Sequence, residues 1–76
     1  MKDQAYVILV NGNRYFEKIY SYEDEWYVED VCSLPYAKLF TDKEGANRQF
    51  RKIRRHLPLM EAKVLRVKMS VVGEEP

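Results

Sequence analysis

Residues 41–58 constrain the fold more than any other stretch of this 76-residue chain. Thr41-Asp-Lys-Glu44 has the form of a capping box, in which a hydroxyl and a carboxylate three residues apart satisfy the free amides of a first helical turn. Directly behind it, apolar side chains recur at Ala46, Phe50, Ile53 and Leu57. Those spacings fall on one stripe of a helix with 3.6 residues per turn. Pro58 carries no amide hydrogen and its ring clashes with the preceding turn, so the helix is predicted to end near His56 or Leu57. A helix with a single apolar stripe must cover something, and the rest of the chain supplies a sheet.

Tyr6-Val-Ile-Leu-Val10 and Arg14-Tyr-Phe-Glu-Lys-Ile-Tyr20 are β-prone runs around Asn11-Gly12, the strongest short hairpin signal, because both residues tolerate positive φ. A two-residue loop would set Val10 opposite Asn13, Ile8 opposite Tyr15 and Val7 opposite Phe16. Apolar residues then fall on both faces, which predicts that the first strand is central and covered on one side. Ser21 to Glu25 reads as a turn. Trp26-Tyr-Val-Glu-Asp-Val-Cys32 is aromatic and β-branched enough for a third strand, and Pro35 interrupts it or sits at an edge. From Ala62 to Val72 the pattern alternates, with Leu65, Val67, Met69 and Val71 toward the core and Val64, Arg66, Lys68 and Ser70 outward. The predicted fold is α+β: an antiparallel sheet, made of a β-hairpin plus a third strand and a final strand, with one amphipathic helix packed on it, in the order ββ(β)αβ. Residues 1–72 are read as a single small domain and 73–76 as a flexible C-terminal tail.

With 46% hydrophobic and 33% charged residues the chain has the composition of a folded protein, and its length allows one small core of marginal stability. The apolar run Ala5 to Val10 is too short for a membrane span or a signal-peptide core. Cys32 is the single cysteine and has no internal partner, which favours a reducing, cytoplasmic setting. The net charge of +1 conceals a strong segregation. Up to Asp42 there are four basic against eight acidic side chains; from Lys43 to Lys68 there are nine against two. Such asymmetry bears on partners, not on fold.

Two groups of residues are candidates for binding. With the apolar stripe at 0°, Arg51, Arg55, Arg48 and Lys52 fall at roughly 140°, 180°, 200° and 240°, a basic ridge pointing away from the core. Arg54 and His56 flank the stripe, while Arg66 and Lys68 on the last strand would extend the positive field. The ridge suits phosphates of DNA or RNA; it equally suits a solvated helix face whose cations lie near the negative end of the helix dipole. The second group is the acidic and aromatic stretch Tyr22, Glu23, Asp24, Glu25, Trp26 and Tyr27, with Tyr20, Glu29 and Asp30 beside it. It reads either as a protein-facing patch rich in hot-spot residues or as core aromatics and a solvated acidic turn.

No chemistry-bearing motif accompanies these groups, so no catalytic, cofactor-binding or metal-ligating residue is predicted and an enzyme is not expected. Glu23-Asp24-Glu25 lacks the alternating ligands and the glycine of a calcium loop. His56, the sole histidine, sits at a helix end where it caps or solvates, and Cys32, without a basic neighbour on its strand, reads as a buried inert thiol. Gly12, Gly45 and Gly73 are too scattered for a phosphate-cradling loop.

Tyr6-Val-Ile-Leu-Val-Asn-Gly12 followed by Tyr15-Phe16, and Ala37-Lys-Leu-Phe-Thr-Asp-Lys-Glu-Gly-Ala46 leading into the helix and last strand, resemble small uncharacterised proteins encoded by phages and prophages of Gram-positive bacteria. The chain departs from that pattern in Gly45, inside the first helical turn, and in its very basic helix. The resemblance implies a mobile-element accessory protein that occupies the surface of a host or phage protein. The expected function is therefore protein binding to an unidentified partner, with sequence-independent nucleic-acid binding through the basic helix 43–56 as the alternative. A homodimer through sheet edges stays open, and no membrane association is expected.

Overall fold

The structure is a computed structural model, and it describes residues 4–68. Four strands, β1 (Gln4–Val10), β2 (Arg14–Tyr22), β3 (Glu25–Val31) and β4 (Ala62–Lys68), form one antiparallel sheet in the order β3-β2-β1-β4. Three hairpin-connected strands with the fourth returned beside the first make a Greek key, whose long connection holds the helix α1 (Lys43–His56). This is the expected α+β architecture, with β1 central. Pro35 falls outside the sheet, in a 3₁₀ turn over Leu34–Tyr36. Met69 and Val71, like the tail 73–76, lie outside the described residues.

The core forms where α1 crosses one face of the sheet. Ile8, Val10 and Phe16 meet Ile53 of the helix, with Ile19, Val28, Phe40, Phe50, Met60, Ala62 and Val64 packed around them. Reaching this arrangement takes two departures from the simplest hairpin. The β1–β2 loop has three residues, not two, and pairs Val10 with Arg14 and Leu9 with Tyr15. Asn11 and Gly12 do adopt positive φ, of 53° and 85°, but the Asn11 amide donates to the Glu61 carbonyl on the β4 side at 2.9 Å. The one-residue slip carries Phe16 onto the face of Ile8 and Val10; in the shorter register it would share a face with Val7 instead. Burial of the aromatic ring under the helix outweighs the tighter turn.

The second departure is a bulge between Phe16 and Lys18, where β2 carries one more residue than β3. Before the bulge the helix-side residue is Phe16; after it, Ile19, paired with Val28, takes that face. As β2 turns away from β1, residues 38–40 take up the freed backbone groups: the Lys38 amide donates to the Phe16 carbonyl at 3.0 Å, and Tyr6 and Phe40 exchange two bonds at 2.9 Å.

Four further expectations are corrected. The helix cap is Asp42, not Thr41, and its carboxylate accepts from the Gly45 amide at 2.6 Å. The β4 residues under the helix are Ala62 and Val64, while Leu65 and Val67 lie on the other face, opposite Val7 and Ala5. Val7 and Ala5 are themselves buried, so β1 is enclosed on both faces instead of one. Finally, the turn read over Ser21 to Glu25 contracts to Glu23-Asp24, because β2 runs to Tyr22 and pairs it with Glu25.

Candidate functional site

The sequence of α1 decides where its cations go. Ala46 and Ile53 are fully buried against the sheet, which leaves Arg48, Arg51, Lys52 and Arg55 exposed on the outer side, as the 100° periodicity requires. All four line one shallow hollow together with His56. Arg48 approaches Glu44 at 3.9 Å, one turn away and largely in solvent; among the described residues Arg51, Lys52 and Arg55 make no ion pair. Arg54 leaves the ridge, its guanidinium donating to the Met60 carbonyl at 3.4 Å and lying 5.8 Å from the centre of the Phe50 ring. Arg66 stands beside Lys43 at the start of the helix, about 18 Å along the axis from Arg55, and Lys68 lies further out on β4, opposite Gln4. These two widen the basic region without joining the ridge.

The acidic and aromatic stretch is not one surface. Alternation along the β2–β3 hairpin splits it. Trp26, opposite Ser21, turns to the helix side, where its ring stacks on His56 with centroids 3.8 Å apart and planes 19° apart. Lys52 adds its ammonium 5.4 Å from the centre of the same ring. On the other face, Tyr20 pairs with Tyr27 and Tyr22 with Glu25. Tyr20 and Tyr27 stack at 5.6 Å, and the three tyrosines are 43%, 38% and 63% exposed in the order Tyr20, Tyr27, Tyr22. The Tyr27 hydroxyl donates to Glu25 at 2.7 Å; that bond, with partial desolvation and the carboxylate charge, raises its pKa above the ordinary 10.0. Glu29 is taken by Lys18 at 3.5 Å and Asp30 by Arg14 at 3.0 Å.

Glu23 and Asp24 form the tip, both at positive φ, 49° and 66°, without being glycine or asparagine. Their side chains face solvent, two and three residues before Trp26. The tip therefore adjoins the basic ridge across the Trp26–His56 stack. Sequence reading missed this stack because it treated residues 21–25 as a loop. The strand over Trp26 to Cys32 already alternates these two side chains; pairing Tyr22 with Glu25 around Glu23-Asp24 would have added that Tyr20 and Tyr22 join Tyr27 on one face and leave Trp26 on the other.

Cys32, expected to be buried, is exposed one residue past β3. Among the described residues no group of three or more His, Cys, Asp or Glu side chains is placed to hold a metal ion. No helix among the described residues is long and apolar enough to cross a membrane. The geometry defines an α+β chain with a basic helix face, an acidic hairpin tip and a tyrosine-bearing strand face. No family profile, curated protein or solved structure matches the chain.

Proposed function

We propose that this chain is a protein-binding module whose contact surface is the tyrosine face of the β2–β3 arm. The observation that carries the reading is the alignment of Tyr20, Tyr22 and Tyr27 on one exposed face of a two-stranded ribbon. Tyrosine offers a large amphipathic area with two side-chain torsions to freeze, and it is enriched at binding hot spots. The Tyr20–Tyr27 stack and the Tyr27–Glu25 bond already hold two of the rings in place, which lowers the ordering cost of association. Glu25 borders the rings with no cation paired to it among the described residues, and Lys18 on the same face is already taken by Glu29, so a folded protein with basic or amide donors at its rim fits better than a nucleic acid. The resemblance to small phage and prophage proteins supports an accessory role, occupying the surface of a host or phage protein.

Affinity capture from nuclease-treated cell lysate tests this, with the native chain and the double variant Tyr20→Ala, Tyr22→Ala as baits. A protein retained by the native chain after nuclease treatment, and bound more than about tenfold more weakly by the variant, is expected. Capture that vanishes on nuclease treatment, or that is equal for the two baits, would overturn the reading.

A further inference from the structure

Independently of the tyrosine face, we infer that the basic ridge of α1 and the acidic tip of the β2–β3 hairpin are the two halves of one self-complementary surface, whose occupant is a second copy of this chain. Trp26 leads from the tip and stacks on His56 at the end of the ridge, so the two fields lie side by side in one molecule. They do not neutralise one another: among the described residues no ion pair joins Glu23, Asp24 or Glu25 to Arg48, Arg51, Lys52 or Arg55. A surface that is positive on one half and negative on the other matches itself after a two-fold rotation. The tip of each copy then meets the ridge of its partner, and the contact closes at two molecules. The same adjacency argues against a polyanion, since a nucleic acid drawn to the ridge must pass the Glu23 and Asp24 carboxylates beside it.

Sedimentation of the full chain over a dilution series supplies the test. Near 10 mM salt, where screening reaches about 30 Å, a dimer is expected; at 1 M, where it falls to about 3 Å, dimerisation should weaken by at least about tenfold. Two charge-swapped variants sharpen the outcome. One carries Glu23→Lys and Asp24→Lys; the other carries Arg48→Glu, Arg51→Glu and Arg55→Glu, which leaves the ridge net negative. Each alone should be monomeric, because both halves of its surface then bear one sign. Mixed, they should form a heterodimer, because the tip of the first meets the ridge of the second with reversed polarity while the other contact keeps its native signs. Should either fail to fold by circular dichroism, Arg51→Gln with Arg55→Gln replaces it, and weakened dimerisation in low salt is the expected result. A native chain that stays monomeric in low salt, a dimer indifferent to salt and to these changes, or a mobility shift of a short DNA duplex or RNA strand at protein concentrations below dimerisation would each overturn the proposal.

Discussion

Gly45 looks out of place in the first turn of a helix, where glycine is about 0.5–1 kcal/mol worse than alanine. The Asp42 cap accounts for it: a Cβ built at position 45 would stand 3.0 Å from the very carboxylate oxygen that accepts the Gly45 amide. Gly45→Ala is therefore expected to yield no gain in stability, or a loss, while Asp42→Ala loses about 0.5–2 kcal/mol; denaturant unfolding of both variants checks it. Glu44, which the capping-box pattern pairs with Thr41, instead extends toward Arg48. Another residue-scale expectation concerns Tyr27, whose phenol donates to Glu25. A raised folded pKa stabilises the fold fully below pH 10.0, the ordinary value, and that contribution is lost as pH climbs through the folded pKa. Glu25→Gln should move one tyrosine titration to lower pH in ultraviolet difference spectra. Unchanged spectra would show that the bond does not hold the proton.

At the scale of elements, α1 was legible because its period, cap region and Pro58 all agree. What the period left open was the rank of its apolar residues. Ile53 is fully buried, whereas Phe50 is only half-buried and lies toward the edge of the core under Arg54. Ile53→Ala is expected to cost about 2–5 kcal/mol, and Phe50→Ala less than the 3–5 kcal/mol of a fully enclosed ring; their melting temperatures should fall in that order. The β2–β3 hairpin holds two non-glycine residues in the left-handed region, at about 1 kcal/mol or more apiece. Replacing Glu23-Asp24 by Asn-Gly should therefore raise the melting temperature while it weakens the proposed dimer. A lower melting temperature would mean that the acidic side chains stabilise the tip.

For the whole molecule, the division of charge at Asp42 coincides with a structural division. The acids cluster mainly on the β2–β3 arm, and four cations line the outer side of α1, three of them without an ion pair among the described residues. Fold and interaction are separable on this plan. Arg51→Gln with Arg55→Gln should leave stability within about 0.5 kcal/mol of the native chain, since neither side chain touches the core. A larger loss would place the ridge in the architecture and not only in recognition.

The sequence by itself determined the elements that rest on local physics: the helix and its end, the Asn11-Gly12 turn, the third strand, and the outward basic ridge, each a matter of periodicity or backbone preference within a few residues. It also carried the α+β class, because one amphipathic helix among β-prone runs has few other ways to bury its stripe. Only the tertiary structure decided the faces. The three-residue loop, the bulge after Phe16 and the contracted tip each depend on what lies across the sheet, and each shifts by one residue a pattern whose period is two. That is why Trp26 meets His56 instead of Tyr27, and why Val64 rather than Leu65 packs beneath the helix.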